Sequence, residues 1–334
     1  VIRPRAIAAG AEAFAARTPT LPPATHTNSY ALGGREVLLV EPATPYEDER
    51  RAWLAWARGL AGQGRSIVAI AVTHHHADHV GGARFFAAEL GVPIWAHAEA
   101  APRLRDVLHE VPVARRLSDG EVVRLDGPAP MALRVLHTPG HAPDHLCFLD
   151  EAEGVLVCGD MVAGVGTILI DPREGDMAEY LAQLERLAAL GARVALPAHG
   201  EPIDAPEALF RRYIAHRLGR EQLVAAALEA AGASGDGGDG GATLEELLPV
   251  AYGDTAPLLW PLARLSLEAH LIKARGAGRA PRGPVAAHGG GARMTQGRGA
   301  RASSRPSPRL LYDAGDLCLA GQGSCARERW DIAV

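Results

Sequence analysis

The chain has no stretch of about 18 or more apolar residues, the length that crosses a hydrocarbon core, so no membrane-spanning helix is expected. Four cysteines in 334 residues, Cys147, Cys158, Cys318 and Cys325, are too few and too scattered for a disulfide framework. Cys147 and Cys158 lie in apolar, strand-like runs, where a free thiol acts as a small hydrophobe. This usage suits a reducing compartment, and a cytoplasmic location is the expectation. The Ala-rich N-terminal segment is broken by charges, which leaves no apolar core for a secretory signal. Lysine is almost missing: Lys273 is the single one. Most of the chain also lacks an excess of positive charge. Residues 276–334 carry nine arginines against four acidic residues, whereas the rest has 25 basic and 35 acidic residues. An acidic body of this kind does not show the electrostatic footprint of a dedicated nucleic-acid binder.

What is present is an alternation of short apolar runs and amphipathic segments over the first two thirds, the sign of an α/β domain. Strands are predicted at 35–42 and 66–73, and further on at PIWAH, EVVRL, ALRVLHT, HLCFL, GVLVCGD and RVALP. Gly33-Gly34 suits a tight hairpin from the segment around TNSYAL. Helices are predicted at 48–62, 81–91 and 176–191. The last has Asp176 as N-cap, Glu179 three residues on and Gly191 as its stop. Strand signals end after Pro202. One long helical pattern covers 206–231, the insert GASGDGGDGGA follows, Thr243 and Glu246 suit a capping box, and 257–275 reads as another helix. From Gly276 the chain is rich in Gly, Arg and Pro, a composition that predicts disorder. The expected division is a catalytic domain over 1–204, a helical, winged-helix-like domain over 205–275, and a tail over 276–334.

The chemistry concentrates in Thr73-His74-His75-His76-Ala77-Asp78-His79-Val80-Gly81-Gly82, directly after an apolar strand. In an extended stretch residues two apart face the same way, so His74 and His76 can bind one ion together. Asp78 and His79 lie where the chain turns into a helix and can reach a second ion. Imidazole and carboxylate are the donors of catalytic zinc sites, and also serve manganese or iron. Gly81 and Gly82 are read as permitting a sharp backbone turn. A surface His-rich tract would be polar on both sides, and this one is not. Three further sites follow strands in the same manner: His141 after Pro139-Gly140, Asp160 after Gly159, and His199 before Gly200. His75 and His137 are read as structural, and His216 as an interdomain packing or hydrogen-bonding residue.

The set His-x-His-x-Asp-His, Pro-Gly-His, Gly-Asp and His-Gly resembles the metallo-β-lactamase superfamily over roughly residues 25–205. That resemblance implies a four-layer αββα sandwich with the site at one edge. It implies His74, His76 and His141 as ligands of a first ion, Asp78, His79 and His199 as ligands of a second, and Asp160 as a bridge. The segments from Gly159 to Leu187, LPAHGEPI and YIAHRLGREQL are similar to the lactamase-β-like branch with a C-terminal winged helix. That branch includes single-stranded RNA endonucleases and acyl-carrier thioesterases. Two departures stand out. Glu41-Pro42-Ala43 replaces the usual Asp-x-Gly, which questions a carboxylate that normally supports a ligand, and the end of the chain lacks the usual wing.

The expected nucleophile is a hydroxide shared by two divalent ions about 3.5–4 Å apart, zinc for preference, attacking an ester or thioester carbonyl. Asp78 would orient it and accept its proton. His145 and Thr167 are candidates for supporting a ligand or touching substrate. By resemblance, Asp160 argues against a true β-lactamase, the complete ligand set against a one-iron persulfide dioxygenase, and the single lysine against a glyoxalase II. An acyl ester or thioester, free or on an acyl-carrier protein, is the expected substrate. RNA cleavage at the same site is the alternative, and a binding protein without turnover is the reading from another class.

Overall fold

Along each central strand successive side chains enter two different cores, and this alternation sets the layers. The computed structural model describes residues 3–109, 111–234 and 242–276. The expectation for the tail, with Cys318 and Cys325, falls outside them beyond Gly276, as does most of the glycine-rich insert.

The first half comprises β1 (Arg5–Ala8), β2 (Ala11–Arg17), β3 (His26–Leu32), β4 (Glu36–Val40), α1 (Glu47–Gly62), β5 (Ser66–Ala71), α2 (Ala77–Val80), α3 (Ala83–Leu90), β6 (Ile94–His97), α4 (Ala100–Arg103), α5 (Arg105–Leu108) and β7 (Val113–Leu117). Its seven strands form one sheet in chain order, antiparallel from β1 to β4 and parallel from β4 to β7. The second half comprises β8 (Val122–Leu125), β9 (Met131–His137), β10 (Leu146–Asp150), β11 (Val155–Gly159), α6 (Met177–Ala188) and β12 (Val194–Pro197). Its five strands lie in the order β12-β11-β10-β9-β8, with only β11 and β12 parallel.

Leu38 and Val40 of β4 meet Leu133 and Val135 of β9 and Phe148 of β10 between the sheets. Val37 and Leu39 point the other way, into a core with Trp53 of α1 and Phe86 of α3. On the far side, Cys147 and Leu149 of β10 pack with Leu181 and Leu184 of α6. Helix, sheet, sheet and helix therefore form the four expected layers. Cys147 and Cys158 are buried free thiols.

Helix α7 (Pro206–Ser234) crosses from this sandwich into the C-terminal module. Its first half gives Phe210 and Tyr213 to the core under α6, and its second half gives Val224 and Ala227 to a separate core with α8 (Leu244–Ala251) and α9 (Trp260–Gly276). Thr243 and Glu246 form the expected reciprocal capping box on α8. Asp176 caps α6, accepting from the backbone N–H groups of Ala178 and Glu179 at 2.7 and 2.9 Å. Among the described residues no helix is long and apolar enough to cross a membrane.

Sequence periodicity does not reveal β1, β2 or β7. The first two are rich in alanine, which favours helix, and they pair through the turn at Gly10, whose φ is +69°. Strand β7 carries two arginines and exists because β6 accepts it, with Arg115 lying 4.6 Å from the Trp95 ring centre. Leu184 is fully buried where α6 meets its sheet. Leu184→Ala is expected to cost about 2–5 kcal/mol, seen as a lower urea midpoint at unchanged slope.

Candidate metal centre

Each strand that ends at this edge of the sandwich delivers a polar side chain where the ladder stops. The segment after β5 supplies His74 and His76, and α2 supplies Asp78 and His79. The turn after β9 supplies His141, while the ends of β11 and β12 supply Asp160 and His199. Strand β3 fixes the last of these loops: Asn28 Nδ2 donates to the carbonyls of Pro197 at 3.0 Å and Gly200 at 2.8 Å. At Gly140, φ is +127°, and a Cβ would lie 2.3 Å from the Tyr180 backbone nitrogen. Gly81 and Gly82 act differently from expectation. Their backbone is ordinary and right-handed, and their role is close packing: a Cβ would come within 2.8 Å of the Ala43 carbonyl or 2.3 Å of the Phe86 ring.

The first three predicted ligands converge. His74 Nε2 and His76 Nδ1 are 3.0 Å apart, and His141 Nε2 lies 3.3 Å from the one and 3.1 Å from the other. Nitrogens ~2.0–2.1 Å from a tetrahedral zinc would be about 3.3 Å apart, so this triangle fits a cation. Burial, with the neighbouring His79 and His76, holds His74 well below the usual histidine range. Burial and His76 bring His141 down to about 4. Neutral rings with lone pairs facing inward are the form that ligates.

The second set is also assembled. His199 Nε2 is 3.4 Å from Asp78 Oδ2 and 3.4 Å from Asp160 Oδ1, and His79 Nε2 is 3.7 Å from Asp78 Oδ1. Asp160 Oδ2 reaches both groups, 3.5 Å from His79 Nε2 and 3.6 Å from His141 Nε2. His79 Nε2 and Asp160 Oδ1 are buried without a hydrogen-bond partner, which is the state of donor atoms awaiting a ligand. Burial alone would raise Asp160 and Asp78, but His199 and His79 hold both carboxylates below their usual range. Burial would likewise lower His199, yet Asp160 and Asp78 push it up to about 10. The two carboxylates thus bring negative charge to a group of donors that could hold a metal ion.

The outer nitrogen of every predicted ligand ring is occupied, which fixes which nitrogen faces inward. His74 Nδ1 lies 3.0 Å from Thr73 Oγ1 and His76 Nε2 2.7 Å from Glu174 Oε1. His79 Nδ1 lies 3.0 Å from Glu41 Oε1, His141 Nδ1 2.9 Å from the Leu169 carbonyl and His199 Nδ1 3.0 Å from the His26 carbonyl. Glu41 therefore answers the missing Asp-x-Gly: it supplies the supporting carboxylate itself, from a backbone at φ +63°, and also accepts from the Thr73 hydroxyl. Glu174 carries no motif that could have revealed it. His145 is fully buried, donates from Nδ1 to Thr138 Oγ1 at 2.8 Å and accepts the Asp160 backbone N–H at Nε2, 3.0 Å away. Through that second contact it braces the backbone of Asp160.

Thr167 is in a loop held by α7. It is exposed and lies 3.3 Å from Arg217 Nη2, because α7 grips this loop: Arg217 also donates to the Ile168 carbonyl, and the Tyr213 hydroxyl to that of Gly166 at 3.1 Å. His75 is more than structural filler, since it pairs with Asp144 at 2.7 Å and Glu174 at 2.9 Å. Burial would lower it, but these two carboxylates push it up to about 9. The His137 ring lies 3.9 Å from that of His97, and its Nε2 is 2.8 Å from the Pro143 carbonyl. His216 is half-buried on α7, where burial and the charges of Arg217 and Arg220 lower its pKa.

These features have counterparts in known proteins. The pattern of the metallo-beta-lactamase superfamily matches residues 22–199, and that of the beta-lactamase associated winged helix domain matches 243–283. The chain belongs to the metallo-beta-lactamase superfamily, and the membership supports a hydrolase. It is 35% identical over 237 residues to the lactamase-like protein aptB of Emericella nidulans, covering 68% of this chain and 69% of that one. It is 31% identical to the lactamase-like protein nscB of Arthroderma benhamiae, of whose length it spans only 50%. A metallo-beta-lactamase family protein of Thermus thermophilus superposes with a TM-score of 0.65 at 29% identity, over 84% of this chain and 98% of that one. A beta-lactamase domain protein from Burkholderia ambifaria shares the fold, with a TM-score of 0.69 at 21% identity over 82% and 88% of the two chains.

His141→Ala is expected to lower the amount of divalent metal retained after dialysis, counted by atomic absorption. Gly140→Ala should destabilise the protein by about 1–3 kcal/mol through the forced φ alone. Its clash with Tyr180 should also weaken zinc binding in a chelator competition.

Proposed function

We propose that the protein is a metal-dependent hydrolase with two divalent ions, acting on an ester or thioester carbonyl. The observation that carries this reading is the pair of donor groups sharing Asp160. His74, His76 and His141 would hold one ion, Asp78, His79 and His199 the other, and Asp160 both. Zinc suits this mixture of imidazole and carboxylate, and manganese or iron could use the same donors. When bound, two such ions supply Lewis acidity, bringing the pKa of water toward about 7 and polarising a carbonyl.

The chain's own groups provide orientation and proton transfer. Asp78, kept ionised between His79 and His199, would accept a hydrogen bond from water and take its proton. Thr73, Glu41, Glu174 and the two backbone carbonyls hold the rings so that no reorganisation is needed as charge develops. No serine or cysteine nucleophile is required, and burial pushes the Cys147 thiol up to about 12.

Charge supports an acyl substrate over RNA. Outside 276–334 acidic residues exceed basic ones, and the single lysine is paired with Glu221. An acyl group carried by pantetheine or an acyl-carrier protein fits this reading. The winged-helix match favours the second reading, cleavage of single-stranded RNA. A binding protein without turnover is disfavoured by the complete set of ligands.

The test sets metal-loaded protein against a generic thioester and a labelled single-stranded RNA, each with and without EDTA. Thioester cleavage that EDTA abolishes is expected. Cleavage of RNA alone would transfer the site to the second reading, and cleavage of neither would end the hydrolase reading. Asp78→Ala should lower kcat by about 10²–10⁴-fold, and full activity in that variant would remove Asp78 from the reaction.

A further inference from the structure

One side chain from outside every motif reaches a predicted ligand and binds a second histidine at the same time. Glu174 lies in the loop between β11 and α6. Its Oε1 is 2.7 Å from His76 Nε2 and its Oε2 is 2.9 Å from His75 Nε2. His75 Nδ1 in turn lies 2.7 Å from Asp144 Oδ1, and Asp144 is fully buried. These contacts form a continuous chain, Asp144–His75–Glu174–His76, that ends on a ring whose Nδ1 faces the first-ion triangle.

We propose that Glu174 is a positioning residue for His76, and that His75 and Asp144 exist to hold Glu174 in place. The inference rests on the two-ion reading of the site.

The physical reasoning is local. His76 is half-buried and is the extended residue directly before α2, so its backbone alone does not fix its ring. A free imidazole can carry its proton on either nitrogen, and only the form protonated at Nε2 leaves Nδ1 free to ligate. A carboxylate 2.7 Å from Nε2 selects that form and stops the ring from turning. Glu174 is partly exposed and has a long side chain, which would cost rotamer entropy to hold. The second contact with His75 meets that cost, because both carboxylate oxygens are engaged. The other rings of the first group use short or rigid supports, Thr73 and the Leu169 carbonyl, and need no such brace.

Zinc binding to the metal-stripped full chain, measured by competition with a chromogenic chelator, tests the proposal without recourse to turnover. Glu174→Ala should weaken one of two zinc equivalents by about 10–100-fold and leave the other unchanged. Glu174→Gln, whose amide oxygen can still accept from His76 Nε2–H, should recover most of that loss. His75→Ala should weaken the same equivalent, to a smaller degree. The proposal is overturned if Glu174→Ala binds both equivalents like the wild type. It is equally overturned if the Ala and Gln variants weaken both equivalents alike, in step with a fall in the melting temperature of the metal-free protein. Failure of the hydrolase reading would show itself separately, as absence of turnover with zinc affinity intact.

Discussion

Too many lone pairs pointing at one another is the constraint on which this structure depends. Three imidazole nitrogens stand within 3.3 Å, and a few ångströms away two carboxylates face two more rings. In a chain without cations such an arrangement is costly, since buried polar atoms are left without partners. The surrounding fold is built to enforce it. Strand ends fix the backbone, five hydrogen bonds fix the rings, and Gly140 lets one loop lie against Tyr180 where a side chain could not fit.

The layering and the donors were legible in the sequence for the same reason. Alternation along β4, β5 and β9–β11 encodes a strand between two apolar layers, and polar residues directly after such strands have nowhere to go but the edge. Thus His74, Asp160 and His199 announced themselves by position as well as type. The capping signals at Asp176 and Thr243 were equally readable, because a cap is a contact within four residues.

What stayed hidden depends on distant contacts. Ala-rich β1 and β2 carry no strand propensity and are defined by pairing. Glu174 meets His76 from 98 residues away in sequence. Glu41 looked like a defect because its side chain is one carbon longer than the usual aspartate; its left-handed backbone still brings the carboxylate to His79. The hold of α7 on the loop of Thr167 is hidden in the same way, since Arg217 lies 50 residues away in sequence.

That grip by α7 makes the C-terminal module something other than an accessory. Tyr213 and Arg217 lie in the half of the helix that belongs to the sandwich core, and they hold the stretch running up to Leu169, whose carbonyl orients His141. The other half of the same helix belongs to the terminal core. A lineage exchanging this module for another could not cut at the apparent seam before Pro206 without releasing a ligand loop. The workable joint lies inside the helix, after Arg217, so that the graft inherits the opening turns of its host.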